Sequence, residues 1–204
     1  TSFDFIAGMP DVESKQGLDA MAEGFGKGNI IKTYVVVKKP YEIYNGTGFD
    51  NATLNSIDNL TSNIAALDNI EKITPSTLFM GSRIDQANWE GFSADEIDDN
   101  IRRAVGEDYN TVLITIVFEE EPFSRESMNS IPSLRDEIDS IREEPNENLG
   151  DATIYVGGET AGLKDIQDSM SNDFRNMAVI VVVGIFILLL IIMGSVLVPL
   201  RLIL

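Results

Sequence analysis

The chain contains no cysteine and no histidine. The missing cysteines exclude disulfides and thiolate nucleophiles, and the two absences together exclude Cys/His zinc sites and Ser-His-Asp triads. Zero cysteine does not identify a compartment. Positive charge is scarce: 15 Lys and Arg stand against 33 Asp and Glu, a formal net charge of −18. A surface of that sign argues against nucleic acid and against an anionic lipid surface as partners. Charge of either sign is absent from Ala178 to Leu200, AVIVVVGIFILLLIIMGSVLVPL. Every Asp and Glu lies before residue 174, and Arg175 and Arg201 flank the apolar run.

That run is long enough to be a membrane helix, since roughly 20 apolar residues cross ~30 Å of hydrocarbon. It contains no intramembrane charge that could relay protons or ions. Its small residues Gly184, Gly194 and Ser195 permit close packing against other helices. The chain is therefore expected to comprise a polar domain, residues 1–174, and a transmembrane segment, residues 175–204, with membrane lipid as a partner. The acidic domain before the span and Arg201 after it favour the domain outside the cytoplasm and the C-terminus inside. The first residue is Thr1 and the last is Leu204, just past the span. A piece cut from a longer protein is the expectation. Asn45, Asn51 and Asn59 begin Asn-x-Ser/Thr triplets that could be glycosylated on an extracytoplasmic domain.

Residues 11–25 carry Leu18, Met21, Ala22 and Phe25 on one helical face, stopped by Gly26-Lys27-Gly28. Residues 30–37, IIKTYVVV, are β-branched and read as a strand. Residues 51–67 form an amphipathic helix through Leu54, Ile57, Leu60, Ile64 and Leu67, capped by Asp50 or Asn51. A strand interrupted or bent at Pro75 is expected over 70–79. Ser93 and Glu96 make a capping box before a helix with Ile97, Ile101 and Val105. TVLITIVF, residues 111–118, is apolar on both faces and implies a central strand. Helix 124–144 has Ile131, Leu134, Ile138 and Ile141, with Pro132 in its first turn or at a break. A short strand over 153–156 and a helix from Thr160 complete the domain. The core order is βαββαβ, so the expected fold is α+β, ferredoxin-like, with both helices on one face of an antiparallel sheet. The N-terminal helix and residues 80–110 are additions to it.

The strongest local signal is Gly157-Gly158-Glu159-Thr160-Ala161. It reads as a strand end turning into a helix, with glycines for positive φ or close approach and Thr160 as N-cap. This is either a purely structural turn or a joint that couples the domain to the span. It lacks the Lys and spacing of a phosphate loop. Glu119, Glu120 and Glu121, and Asp95, Glu96, Asp98 and Asp99, lack EF-hand spacing and read as solvated faces, so neither a metal nor a cofactor is assigned. Phe79, Met80, Trp89 and Phe92 could line a hydrophobic substrate path, or simply pack in the core.

These stretches together resemble the RND (resistance-nodulation-division) superfamily of transporters, in its MMPL-like, hydrophobe-exporter branch. Phe3-Asp4-Phe5, Pro10, Glu13-Ser14, Gly17-Leu18 and Phe25-Gly26 are similar to the segment leaving the first helix of a transporter half. Val156 to Ala161 with Asp165 is similar to the family's Gly-Gly-x-Thr-Ala signature. Leu188 to Ile192 followed by Gly194-Ser195-Val196-Leu197-Val198-Pro199-Leu200 is similar to its Ser-(apolar)-Pro-Leu exit, with Gly194 where the family carries a basic residue. The resemblance implies a porter-type domain in a proton-driven exporter of hydrophobic or amphipathic substrates, small molecules or lipids. The partners it implies are the remaining transmembrane helices and a second such domain, with homo-oligomerisation left open. It implies no enzymatic activity. A single-span receptor or adhesion module binding a protein partner is the alternative, with a membrane-anchored hydrolase behind it.

Overall fold

The computed structural model describes residues 10–29, 31–79, 82–84, 91–145 and 147–193. The chain divides into two compact units, Thr1–Lys164 and Asp165–Leu204. In chain order the elements are α1 (Glu13–Phe25), a 3-10 turn (Lys27–Asn29), β1 (Thr33–Lys38), α2 (Asn51–Ala65), β2 (Ile70–Pro75), β3 (Leu78–Phe79), β4 (Ser82–Arg83), α3 (Ala94–Val105), β5 (Thr111–Phe118), α4 (Arg125–Glu143), β6 (Thr153–Gly157) and α5 (Glu159–Met193).

Four strands make one sheet in the order β2-β5-β1-β6, every neighbour antiparallel. β5 lies between β1 and β2, and β1 lies between β5 and β6. Each strand–helix–strand unit is thus split by a strand of the other, as the βαββαβ order requires. On one face Val35, Val37, Val112, Ile114, Ile116 and Phe118 are at most 1% exposed. They meet Leu54, Ile57, Leu60 and Ile64 of α2 and Ile131, Leu134, Ile138 and Ile141 of α4 in a single core. The two helices also pack against each other, so they share that face. Each such aliphatic side chain contributes about 1.5–3 kcal/mol relative to exposure.

The sheet's other face departs from expectation. β5 is central, but its second face is only partly covered: Leu113 is 38% exposed, and Tyr155 on β6 is 59% exposed. Val117 on that face is buried beneath the 3-10 turn. A Cβ on Gly28 would stand 1.7 Å from the Phe118 carbonyl oxygen and 3.0 Å from the Val117 side chain. Only glycine lets the chain pass so close. The apolar stripe of α1 is likewise uncovered among the described residues: α1 buries none of its side chains, and Phe25 is 76% exposed.

Two boundaries and the place of one proline differ from expectation. β1 begins at Thr33, with Ile30 outside the described residues. The strand expected over 70–79 ends at Pro75, which has no N–H to continue a ladder. Ser76 takes over instead: its N–H donates to Leu113 O (2.7 Å), and its Oγ accepts from Leu113 N–H (3.1 Å) and donates to Ala104 O (2.6 Å). β3 then starts a separate two-stranded hairpin with β4. Pro132 lies inside α4 and neither starts nor breaks it. The missing N–H costs the helix one internal bond, which the four buried aliphatics of its inner face outweigh.

Polar clips hold the loops. Lys39, just past β1, is completely buried. Its Nζ donates to Asn148 O (2.7 Å) and to the Asp151 carboxylate, and lies 4.6 Å from the Tyr41 ring centroid. Asn148 Nδ2 donates in turn to Thr53 Oγ1 (2.8 Å), tying the loop before β6 to the start of α2. Asn69, at φ 67°, donates to Ser130 Oγ (3.2 Å) and accepts from Glu120 N–H (3.2 Å), so it joins the end of β5 to α4.

α3 begins with the expected capping box: Ser93 N–H donates to Glu96 Oε2 (2.9 Å) and Glu96 N–H donates to Ser93 Oγ (3.4 Å). At its other end, Asp98 accepts from Arg102 Nε (2.8 Å) and from the Tyr109 hydroxyl (2.9 Å), while Arg102 also reaches Glu107 (2.8 Å). The Arg102 hydrogen bond, then that of Tyr109, holds the Asp98 carboxyl below its ordinary range. A carboxylate depressed in the folded state contributes stability that is complete above its unfolded pKa, about 3.9, and is lost as pH falls through the lower folded value. Asp98→Asn should therefore lower the urea midpoint of the chain in detergent micelles near neutral pH. The difference from the parent chain should narrow as pH falls below about 4. A gap that is constant with pH would show that the Asp98 charge is not its source.

Candidate functional site

The junction between β6 and α5 is where the folded domain hands over to the long helix. β6 reaches it as an edge strand on β1, with Gly157 opposite Tyr34. The two glycines differ. Gly157 has no positive φ, and a Cβ there would meet nothing within 4 Å. Gly158 has φ +107°, and a Cβ would lie 2.8 Å from the Lys32 carbonyl oxygen and 3.2 Å from Thr33 Cα. Gly158 is thus required both by its backbone conformation and by the approach to the start of β1.

α5 starts at Glu159, one residue before the expected Thr160. Its first turn closes when Gly162 N–H donates to Gly158 O (3.0 Å). Glu159 places a carboxylate at the positive end of the helix dipole, where it is favourable. Thr160 is therefore not the N-cap but a first-turn residue. Its side chain is fully buried, and its Oγ1 has no hydrogen-bond partner; Thr33 Oγ1 is in the same condition. Ala161, 1% exposed, belongs to the core of the sheet. Asp165 lies farther along α5, at the first position of the second unit. Gly158, Thr160 and Ala161 thus form one sterically fixed turn, while Gly157 is not constrained in the same way.

The chemistry here is steric rather than ionic. Among the described residues no group of three or more acidic side chains could hold a metal ion. The acids near α3 are engaged locally: Asp99 pairs with Arg103 (2.7 Å) and Asp98 with Arg102. Lys27 pairs with Glu120 across exposed surface (3.4 Å).

α5 is one uninterrupted helix from Glu159 to Met193. Its most apolar stretch has a mean hydropathy of 2.7, none of it is buried, and it is long and apolar enough to cross a membrane. Ile180, Ile191 and Ile192 are each at least 71% exposed, a surface that demands lipid or other apolar helices around it. Gly184 sits within α5, whereas Gly194 and Ser195 lie outside the described residues.

Of the four residues expected along a substrate path, two are described. Phe79 ends β3 and Phe92 is half-buried before α3, while Met80 and Trp89 lie outside the described residues. Gly28, Asn69 and Lys39 carry structural weight that the sequence reading missed. Asp68-Asn69 between helix and strand is a turn signal that could have pointed to Asn69. For Gly28 and Lys39 no local signal exists, because their partners are distant in the chain.

A sequence model of the MMPL family matches residues 8–204. A Streptomyces coelicolor protein described only as a membrane protein is 25% identical over 173 residues, covering 84% of this chain and 16% of that protein. MmpL12 of Mycobacterium tuberculosis, described as a transport protein, is 28% identical over 112 residues, covering 55% of this chain and 10% of that protein. The chain's matches thus span 10% to 16% of the length of these relatives.

The junction yields opposite expectations for neighbouring positions. Gly158→Ala should destabilise the chain by about 1–3 kcal/mol, from strained backbone and the close Lys32 carbonyl. Thr160→Val removes a buried hydroxyl that has no partner, and should be neutral or stabilising by up to about 1–2 kcal/mol. Urea unfolding in micelles followed by near-ultraviolet circular dichroism separates the two. Equal destabilisation by both would mean that the Thr160 hydroxyl has a hydrogen-bond partner after all.

Proposed function

We propose, starting from the fact that this chain belongs to the MMPL family, that it forms the extramembrane domain and the following membrane helix of a transporter. The observation that carries the reading is the extent of the family match, which runs without a break from the acidic domain into the apolar helix. That continuity favours a transporter part over a single-span receptor. The division of labour falls near residue 174, where acidic residues end. Residues 1–174 are the porter-type domain, outside the cytoplasm, and residues 175–204 belong to the membrane. The domain contributes to a pathway for hydrophobic or amphipathic molecules, small molecules or lipids. It works beside a second domain of the same kind and the remaining transmembrane helices of the parent protein. The proton gradient supplies the driving force through helices elsewhere in that protein. The Gly158 turn joins the two parts.

Cells expressing the parent protein should accumulate less of a panel of neutral hydrophobic dyes and fluorescent fatty acids than cells with empty vector. A protonophore should abolish the difference. No difference across the panel would overturn the transport reading. In the same assay Gly158→Val should lower membrane abundance and export together by roughly tenfold, given its stability cost. Thr160→Val should leave both within about twofold.

The side of the membrane is read independently. Ser140 is exposed on α4, and the chain has no cysteine of its own. Ser140→Cys in the parent protein should react with a membrane-impermeant maleimide in intact cells, identified on the peptide that carries residue 140. Reaction only after lysis would place the domain in the cytoplasm.

A further inference from the structure

We propose that the cleft between the loop after β1 and the helix α3 is a binding site for an organic cation, an alkylated ammonium group carried on an apolar body. The cleft has a volume of about 520 Å³ and lies wholly within the first unit. Its walls are Tyr44 and Tyr109, with Ile97 and Ile101 from α3, and its carboxylates are Glu42 and Asp98.

The walls are set before any ligand arrives. The Tyr109 carbonyl accepts from the N–H of Ile43 (2.6 Å) and of Tyr44 (3.4 Å), and Asp50 N–H closes the loop on Ile43 O (2.7 Å). Tyr44 packs on Phe49 with ring centroids 4.9 Å apart and on Tyr109 at 6.1 Å. Tyr109 is held at φ 53°, with its hydroxyl on Asp98. Two fixed aromatic rings beside carboxylates form the environment that attracts a cation through ring quadrupoles as well as charge.

The sign and the kind of ligand follow from the donors. Among the described residues neither Lys nor Arg lines the cleft. The nearby Arg102 lies over the Tyr109 ring at 5.4 Å and is bound by both Asp98 and Glu107, so its charge is already compensated. An anion would therefore meet two lining carboxylates and no uncompensated cation. A bare metal ion needs about six oxygen ligands. Asp98 already accepts from Arg102 and Tyr109, and Asn45 Oδ1 accepts three bonds from Thr47 and Gly48. That leaves the Glu42 carboxylate, exposed at the rim, as the principal acceptor. One carboxylate and two tyrosine rings suit a weakly hydrated alkylammonium, whose methyl groups also gain from Ile97 and Ile101.

The site is asked of the chain itself and stands apart from transport. The test uses the full chain in nonionic micelles with isotope-labelled tyrosine, followed by nuclear magnetic resonance. Tetramethylammonium chloride is the probe, and sodium chloride at equal ionic strength and neopentyl alcohol are the controls. The Tyr44 and Tyr109 ring resonances should shift saturably, with half-saturation on the order of millimolar, the range expected for so small a ligand. Tyr34 and Tyr155 on the sheet should stay still. Glu42→Gln should weaken binding severalfold while leaving the Tyr34 and Tyr155 resonances in place. Shifts reproduced by sodium chloride, an equal response to the uncharged alcohol, an undiminished response in Glu42→Gln, or no saturation at all would each overturn the proposal. None of these outcomes would bear on dye export by the parent protein.

Discussion

The domain depends on one pairing, the antiparallel ladder between β1 and β5. It runs from Thr33 opposite Ile116 to Lys38 opposite Thr111, and its core-facing members Val35, Val37, Val112 and Ile114 are fully buried. Nothing local brings these strands together, since a helix, a strand, a hairpin and a second helix separate them in the chain. The closure entropy of so long a connection is recovered only when α2 and α4 cover the same face. β1 then carries β6 on its other edge, and its first residues supply the surface against which Gly158 turns. The entry to the membrane helix is therefore built on the strand that organises the core.

This dependence explains which parts of the fold were legible. Elements defined by their own periodicity read directly: TVLITIVF as a strand, the Leu54–Ile64 and Ile131–Ile141 stripes as helix faces, Ser93 and Glu96 as a cap. Their order then constrained the sheet. What the pattern could not show was occupancy. An apolar stripe says that a face wants cover, not that cover is found, and among the described residues α1 and the outer face of β5 are the counterexamples. Proline was read correctly at Pro75 and wrongly at Pro132, for one reason. Its missing N–H ended β2, where Ser76 could replace the ladder bonds, but was tolerated in α4, where buried aliphatics hold the helix.

The candidate site was legible to a similar depth. The glycine turn was visible as a motif, and the need for positive φ fell on Gly158. The start of α5 one residue earlier moved Thr160 from a capping role into the core, a one-residue difference that changes its chemistry entirely. Gly28 and Lys39 were invisible for a different reason. Each is defined by a partner far away in sequence, the Phe118 carbonyl for one and Asn148 with Asp151 for the other. Single-sequence patterns register neighbours along the chain, not across it.

The burial of Lys39 also gives the domain an internal chronometer. The side chains of Lys27 and Lys38 are about half exposed, at 53% and 52%, whereas that of Lys39 is at 0%. A small acylating reagent in solution meets the first two continuously. It reaches the third only in moments when the end of β1 separates from the loop at Asn148 and Asp151. The ratio of acylation rates at adjacent residues 38 and 39 therefore reports the frequency of that local opening, against a reference built into the same peptide. Digestion with a protease that cuts after glutamate rather than lysine leaves residues 38 and 39 on one peptide, where the pair remains readable.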